Sequence, residues 1–499
     1  MTDYDVIVIG AGNGGVTAGA LLAKQGRKVL VLEQSGRIGG CCSTFEKDGY
    51  RFDVGASIVE VIRPIEIAFE KLGTTFQKEV DLITCDPVMT IIDRDGSRIT
   101  YPSSIDATAE AISAISAADG KRWYEFVALM AEFTEVALDA FFVQPAETLA
   151  DMARMFKKDP RFFKFLPLFL KSYQDLIEKY FKDERILKTM GYQSLYFGHP
   201  PAHIPGIFAL IPYTEHLGVY YPRGGMIKIP EAIRRCGEKL GMEVRLNTLV
   251  ARIMVKKRRV EGVVLADGTE ITAKIVVSNI NARTLYLDLI GEEHLPALAR
   301  AGIKSYRYSK AVPMIYVGLD YTPPLDSHHS LIAITPEGVN NYWWHNVEKG
   351  RLPQQNFGLI CWPTHADASL APQGRHVLNL IPEGFYHLEG TDWDTEKPRF
   401  IERTLADLDR FAVPGIRDHV TVVECSTPLD FERRLRLPEG SIYALQQDLS
   451  AAAVFRPNAR SRGIKGLYLT GSSTHPGGGV PTTIASGIIA SSLIAQYEQ

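Results

Sequence analysis

The 499-residue chain has little net charge and few cysteines, and each shortage excludes a class of function. Its formal net charge is −3, so no global basic field indicates a nucleic-acid partner. Its six cysteines include no C-x-x-C spacing, which argues against both a disulfide framework and a zinc site. We therefore expect no nucleic-acid partner, no bound metal and a reducing, cytoplasmic compartment.

The chain also lacks a long hydrophobic run, a targeting segment and a fixed-period repeat. The opening residues MTDYDVIVIGAG contain neither the basic stretch nor the cleavage site of a signal peptide. No apolar stretch reaches the roughly 18 residues that a membrane-spanning helix requires. At this length the sequence predicts a soluble or peripherally attached protein with two or three domains, or one large discontinuous domain.

The glycines near the N-terminus have the spacing of a dinucleotide-binding turn. The apolar run 5–9 is typical of a buried parallel strand, and the pattern Gly10-x-Gly12-x-x-Gly15 follows it and opens a helical stretch. Gly10 permits the tight turn, Gly12 lets the backbone approach a pyrophosphate, and Gly15 lets the helix and strand pack closely. Glu33 ends the next strand, where it can accept hydrogen bonds from ribose hydroxyls. The sequence thus predicts a dinucleotide-binding βαβ unit.

Two further glycine-rich loops indicate that the dinucleotide is FAD. One loop, EQSGRIGGCCSTF, follows the acidic strand end directly, and the other, THPGGGVPTTIASG at 474–487, lies near the C-terminus. No second G-x-G-x-x-G precedes an acidic strand end, so we expect one long cofactor and no nicotinamide domain. Glycines in 474–487 leave no Cβ to obstruct a flat ring, and a helix beginning near Pro481 would direct free N–H groups toward it.

Four stretches of this sequence resemble the phytoene desaturase family of carotenoid-pathway flavoenzymes. The wider group includes carotenoid isomerases, retinol saturases and, more distantly, amine oxidases. The stretches that carry the resemblance are 6–40 together with GYRFDVGAS at 49–57, YQSLYFGHPPAHIPGIFALIPYTEHLGVYYPRGGM at 192–226, STPLDFERRLRLPEGSIY at 426–443, and LYLTGSSTHPGGGVPTTIASG at 467–487.

The resemblance implies an α/β protein with the two-domain architecture of amine oxidases. A split Rossmann-type domain would bind FAD, and a mixed α+β domain would hold a long apolar substrate against the flavin. We expect the FAD-binding domain to comprise 1–104, 217–292 and 445–499. The substrate-binding domain would then comprise 105–216 and 293–444, with a helical, membrane-facing part near 152–182.

The resemblance also implies which residues bind FAD. Cys41 stands where relatives usually have Arg or Lys, so one phosphate or ribityl contact is expected to be missing. Ser472 stands where many relatives have an acidic residue, and both departures are expected to affect the affinity for FAD and its potential rather than remove the site. The complete predicted set is Gly10, Gly12, Gly14, Gly15, Glu33, Gln34, Arg37, Gly39, Gly40, Cys41, Val250, Gly471, Ser472, Gly479, Val480 and Pro481.

The implied reaction is desaturation of a long isoprenoid or carotenoid-like substrate by hydride transfer to flavin N5. His475, Glu215 and His216 are the candidates for moving a proton, although a lone histidine is more often structural. A flavin-dependent polyene saturase or a cis–trans isomerase of the same family fits the sequence nearly as well. A lipid-binding escort protein without redox activity, or an amine oxidase, fits it less well.

A basic and aromatic stretch at 152–181 predicts contact with a membrane. Such a mixture suits an anionic lipid interface, from which an apolar substrate can be extracted without crossing water. We therefore expect a peripheral protein on the inner face of the cell membrane, although an amphipathic helix pair covering a core would show the same pattern. The residues concerned are Lys157, Lys158, Arg161, Lys164 and Lys171 with Phe156, Phe162, Phe163, Phe165 and Phe169.

Overall fold

The computed structural model describes residues 2–93, 95–140, 142–333, 340, 346–355, 358–446 and 453–498. In these ranges the strands, in chain order, are β1 (Tyr4–Ile9), β2 (Val29–Leu32), β3 (Thr44–Lys47), β4 (Tyr50–Asp53), β5 (Leu82–Thr84), β6 (Met89–Asp93), β7 (Arg98–Tyr101), β8 (Tyr220–Pro222), β9 (Glu243–Arg245), β10 (Val250–Lys256), β11 (Arg259–Leu265), β12 (Glu270–Ser278), β13 (Met314–Leu319), β14 (His329–Ala333), β15 (Gly358–Cys361), β16 (His376–Pro382), β17 (Val420–Ser426) and β18 (Leu467–Leu469).

The α-helices of the same ranges are α1 (Asn13–Lys24), α2 (Arg63–Leu72), α3 (Phe76–Glu79), α4 (Ile105–Ile115), α5 (Ala117–Ala140), α6 (Leu149–Lys158), α7 (Leu166–Leu170), α8 (Tyr173–Tyr180), α9 (Glu184–Tyr192), α10 (Ile211–Thr214), α11 (Lys228–Lys239), α12 (Ala297–Lys304), α13 (Pro363–Ala366), α14 (Trp393–Phe411), α15 (Pro428–Leu435) and α16 (Val480–Tyr497). None of them is long and apolar enough to cross a bilayer. No group of three or more His, Cys, Asp or Glu side chains in the described ranges is arranged to hold a metal ion.

The first sheet has the order β10-β11-β12-β1-β2-β9, and β18 pairs in parallel with β12. Strands β1 and β2 are apolar runs that pair in parallel, and Val6, Ile7 and Val8 are fully buried because both faces of the sheet are covered. Helices α1 and α16 pack on one face, and the β10–β11 hairpin with the segment 282–290 packs on the other. The predicted βαβ unit is confirmed by β1, α1 and β2. Pairing of β18 with β12 places the C-terminal loop at the same edge of the sheet as the turn after β1.

The second sheet has the order β17-β13-β16-β15-β14-β6-β7. The pairing of β6 is parallel to β14, from Thr90 opposite Ser330 to Asp93 opposite Ala333. Strands β6 and β7 therefore belong with the second sheet, although the predicted boundary at residue 104 placed them in the FAD-binding domain. The other predicted domain limits stay predictions.

Helices α4 to α10, which we call the helical layer, span residues 105–214 and include the part expected to be helical near 152–182. Their core is aromatic, with the rings of Trp123 and Phe126 stacked 5.9 Å apart and Phe181 packed against both. Phe162 and Phe165 are also buried in this layer. These helices thus share a hydrophobic core, and the cavity described below extends into it.

Candidate active site

One continuous cavity of about 480 Å³ joins the turn after β1 to the helical layer. This volume is in the range of about 300–1,000 Å³ that ligand pockets occupy in proteins. Its walls include the turn at 10–14, the loop at 55–61, parts of the helical layer and the C-terminal segment at 471–483.

Nearly all residues predicted to bind the cofactor line this cavity. The exceptions are Gly15, where an added Cβ would point at the Gly10 carbonyl oxygen rather than into the cavity, and Arg37, whose guanidinium lies 5.6 Å from the centre of the Phe45 ring. The predicted residues that do line it are Gly10, Gly12, Gly14, Glu33, Gln34, Gly39, Gly40, Cys41, Val250, Gly471, Ser472, Gly479, Val480 and Pro481.

The N-terminal turn and the C-terminal loop meet directly. A Cβ added at Gly14 would lie 2.6 Å from Thr470 Oγ1 and 2.8 Å from the backbone nitrogen of Gly471, so only glycine fits at this crossing. The backbone N–H of Gly471 donates to Ser486 Oγ at 2.7 Å, which ties the loop to the first turns of α16. The two glycine-rich segments, 470 residues apart in places, therefore form one wall of the cavity.

Glu33 is fixed by three hydrogen bonds at the end of β2. Its Oε2 accepts from the backbone N–H of Ala11 at 2.8 Å. Its Oε1 accepts from the backbone N–H and the hydroxyl of Ser35, at 2.9 and 2.8 Å. A carboxylate offers about four acceptor positions, so this group is oriented and still able to accept one hydrogen bond from a ribose hydroxyl.

Cys41 replaces the basic residue that relatives usually have, but Arg434 supplies a positive charge near the same position. Burial raises the pKa of the Cys41 thiol to about 11, and the nearby Arg434 charge acts in the opposite direction. The pKa of Arg37 is lowered by burial first and by Arg434 second, so the two guanidinium groups are neighbours. The Nε and Nη2 atoms of Arg434 are buried and, within the described ranges, have no hydrogen-bond partner.

These residues fit FAD. Arg434 has two unused donor atoms and a second guanidinium nearby, and this positive charge favours an anion such as the pyrophosphate of a dinucleotide. Arg434 escaped the sequence prediction because it lies in α15, about 420 residues from the glycine turn; its signal was the doubled arginine of DFERRLRLP. Glu33 and the glycine turn line the cavity and would hold the ADP half, with the charges of Arg37 and Arg434 outside the lining, and 471–481 would adjoin the ring.

Beyond the glycine-rich walls the cavity becomes an apolar channel through the helical layer. Aromatic and aliphatic side chains from α5, from the segment at 162–169 and from 207–211 form this part. It is lined by Phe133, Ala137, Phe142, Phe162, Phe169, Tyr196, Ile207, Phe208, Leu210 and Ile211. Such a lining excludes water and matches a long hydrocarbon ligand.

The three residues predicted to move protons, His475, His216 and Glu215, have different positions relative to the cavity. His475 is 5% exposed and adjoins Pro476, which lines the cavity. His216 does not line it: Nδ1 of His216 lies 2.9 Å from the Ser103 carbonyl oxygen, and its ring packs edge-on against Trp123. Burial lowers the pKa of His216, partly opposed by that hydrogen bond, which indicates a structural role. Glu215 is 4% exposed, directly behind the wall of the channel.

Among the unpredicted side chains that line the cavity are a carboxyl group, Glu60, and an imidazole, His329. Nε2 of His329 lies 3.0 Å from Ser57 Oγ and 3.1 Å from Cys361 Sγ. Burial lowers the pKa of His329 to about 3, so this imidazole stays neutral near neutral pH. The stretch GYRFDVGAS at 49–57, which carries part of the family resemblance, ends three residues before Glu60, and nothing local distinguishes Glu60 from a surface carboxylate.

The Rossmann-type sheet, the two glycine-rich segments in contact and the cavity that they line define a dinucleotide-dependent oxidoreductase built on two sheets. The chain belongs to the flavin-containing amine oxidoreductase family, whose model matches residues 14–495. The predicted cofactor, FAD, and the predicted fold class are thereby confirmed.

Individual relatives confirm the resemblance found in the sequence. A phytoene desaturase of Fusarium fujikuroi is 31% identical, aligned over 98% of this chain and 89% of that protein. A zeta-carotene-forming phytoene desaturase of Myxococcus xanthus is 29% identical over 96% of this chain and 92% of its own length. The crystal structure of an oxidoreductase from Methanosarcina mazei shares the fold, with a TM-score of 0.64 at 19% identity over 97% and 98% of the two chains.

Proposed function

We propose that this protein is an FAD-dependent desaturase of a long, carotenoid-like isoprenoid. The observation that carries the proposal is the apolar channel, which opens into the same cavity as the cofactor-binding residues. Relatives named as phytoene desaturases align along nearly the whole chain, which supports the same substrate class. Within the described residues, no metal-ligand cluster offers a different chemistry.

Desaturation removes a hydride and a proton from neighbouring carbons, and bound FAD supplies the acceptor for the hydride. The protein binds and orients the chain: burying each CH₂ is worth about 0.8 kcal/mol, so the channel residues can hold an isoprenoid strongly. A bilayer gives a similar gain, so transfer from lipid to channel is close to neutral. The rings of Phe162 and Phe169 lie 5.7 Å apart in the wall and keep water away from the reacting carbons.

Anaerobic incubation with phytoene or 4,4'-diapophytoene in lipid vesicles tests this proposal. We expect a yellow protein whose flavin absorbance bleaches, and a product two hydrogens lighter than the substrate. A product two hydrogens heavier, formed only with pre-reduced flavin, would make the protein a saturase, and an unchanged mass with altered double-bond geometry would make it an isomerase. A colourless protein that cannot be reconstituted with FAD would leave a lipid-binding role.

We also propose that the channel is filled from a membrane on the cytoplasmic side. Large apolar side chains of the 149–170 segment face solvent: Leu149 is 79% exposed, Phe163 58% and Leu170 84%. Their sequence neighbours Phe162 and Phe169 line the channel, so the exposed patch and the channel wall are continuous along the chain. Lys164 and Arg161 are paired with acidic side chains, so apolar insertion carries more of the binding than charge does. Phe156 and Lys158 lie outside the described side chains.

Replacing Phe163 and Leu170 together by serine is expected to weaken vesicle binding by about 100-fold. Each large apolar side chain is worth about 1.5–3 kcal/mol when it leaves water, and about 1.4 kcal/mol corresponds to tenfold in affinity. Flotation with phosphatidylglycerol vesicles measures the change. Leu298→Ser is the matched control, because Leu298 is 87% exposed on α12, outside this segment. Equal binding by the double variant and the wild type would contradict docking through this patch.

A further inference from the structure

Two acidic side chains stand together at the wall of the channel. Glu60 lines the cavity, and Glu215 lies behind it with 4% of its surface exposed. The amide Nε2 of Gln193 donates to Glu215 Oε2 at 2.6 Å. Within the described ranges, Glu60 Oε2 and Glu215 Oε1 are buried and have no hydrogen-bond partner. A buried carboxyl oxygen without a partner is costly, so its presence at a channel wall indicates a role in the reaction.

The backbone fixes Glu60 between the cofactor site and the channel. The N–H of Ala56 donates to the Cys41 carbonyl oxygen at 3.2 Å, which anchors the start of the loop beside the cofactor-binding residues. Val59 forms two backbone hydrogen bonds of 2.9 Å with Tyr220, which anchor its other end. Glu60 is five positions after Gly55, so their Cα atoms are at most about 18 Å apart.

The two carboxyl groups have different pKa values, so they lose their protons in different pH ranges. Burial raises the pKa of Glu60 to about 7. Burial, and next the charge of Glu60, raises the pKa of Glu215 well above its usual range, although the hydrogen bond from Gln193 opposes this. Glu215 therefore keeps its proton while Glu60 ionises near neutral pH. A carboxylate with a pKa near the working pH is suited to accept a proton.

The groups that face this pair are neutral in the same pH range. Burial raises the pKa of Tyr101, Tyr173 and Tyr196, so these hydroxyls keep their protons in this pH range. No described lysine, arginine or histidine contributes to the pKa of either carboxyl. His329 shares the cavity, but its pKa of about 3 makes it a poor proton acceptor. Compared with His329 and these tyrosines, Glu60 is the better proton acceptor for a substrate in the channel.

We propose that Glu60 accepts the proton released in desaturation, and that Glu215 is a positioning residue that stays protonated behind it. This inference rests on the proposed function. One C–H bond breaks with its electron pair, which leaves as hydride to the oxidised flavin of this family. The C–H bond on the neighbouring carbon also breaks; its electrons form the new C=C bond, and its proton passes to a Glu60 carboxylate oxygen. The substrate loses two electrons and the flavin gains two.

The Glu60→Gln variant tests the assignment in the holoenzyme. Anaerobic stopped-flow mixing with phytoene vesicles records the rate of flavin bleaching from pH 5.5 to pH 9. In the wild type the rate is expected to rise about tenfold per pH unit below about 7 and to level off above it, because only ionised Glu60 accepts the proton. In Glu60→Gln the rate falls about 100-fold or more at pH 8, and this ascending limb disappears.

Two further variants separate a lost base from a disturbed fold. Glu383→Gln is the matched control, because burial also raises the pKa of Glu383 to about 7 but Glu383 does not line the cavity. It should keep both the rate and the pH profile. Glu215→Gln should keep the ascending limb near pH 7 with a smaller loss of rate, since Glu60 remains to ionise.

The outcomes distinguish this inference from the proposed function. Failure of the wild type to be bleached by any polyene would remove the proposed function itself. If the wild type is bleached and Glu60→Gln keeps its rate and pH profile, desaturation stands and Glu60 is not the proton acceptor. Absorbance of bound flavin and the melting temperature are measured on each variant, so that a loss of rate is scored only in folded holoenzyme.

Discussion

Gly15→Ala is expected to purify without flavin and to be less stable than the wild type by about 3 kcal/mol or more. A Cβ at this position would lie 2.1 Å from the carbonyl oxygen of Gly10 and 3.0 Å from Cβ of Asn279. Real Cβ atoms do not approach a backbone oxygen so closely, so α1 must move away from β1. Gly10 has a φ of +92°, a conformation that other residues rarely adopt, so the turn cannot yield instead.

Movement of α1 also separates the two glycine-rich segments. A Cβ at Gly487 would lie 2.6 Å from the carbonyl oxygen of Gly14, so α1 and α16 already pack with almost no free space. A shift at Gly15 therefore propagates to α16 and to the loop that precedes it. The measurements are flavin absorbance per protein and thermal unfolding with and without added FAD.

Gly302→Ala is the matched control for this glycine. Gly302 lies within α12, and an added Cβ there would meet no atom within 4 Å. Alanine is preferred over glycine in a helix by about 0.8–1.0 kcal/mol, so this variant should keep its flavin and be slightly more stable. A Gly15→Ala protein with full flavin and an unchanged melting temperature would contradict the close packing of this turn.

The cofactor half of the site could be predicted because its requirements are local. The glycines of 10–15 and 474–487 are needed by the backbone itself, and the apolar runs around them set β1, β2, β18 and α16 within a few residues. A backbone turn that must lie close to a phosphate accepts almost no residue other than glycine. Such positions can be recognised from the sequence without any knowledge of distant contacts.

The remaining features depend on contacts between distant parts of the chain. β6 joins the second sheet because it pairs with β14, about 240 residues later, and no local pattern selects that partner. Glu215 and His216 are adjacent, yet only Glu215 approaches the channel. They lie in a 3₁₀ helix, in which about three residues complete a turn and successive side chains diverge by about 120°. Glu60 likewise differs from a surface glutamate only through its distant neighbours.

Ile207→Asp is expected to slow oxidation of phytoene by about 100-fold or more, a loss of about 2.7 kcal/mol in transition-state binding, while leaving the flavin in place. Ile207 lines the apolar channel and is half-buried, in the 3₁₀ helix Gly206–Leu210. A carboxylate there must either lose its hydration or keep water beside the substrate, and each alternative costs several kcal/mol when an isoprenoid enters. The cofactor-binding residues are provided by other segments, so the flavin absorbance should not change.

The measurement compares two ways of reducing the same flavin. Bleaching by phytoene vesicles requires the channel, whereas reduction by dithionite does not, so Ile207→Asp should fail in the first and match the wild type in the second. Ile207→Val is the matched control, because it keeps the apolar wall and removes only one methylene. Since the patch at 149–170 is unchanged in both variants, vesicle binding should also be unchanged. Oxidation of phytoene at the wild-type rate by Ile207→Asp would mean that the substrate reaches the flavin by another path, and the channel would lose its assigned role.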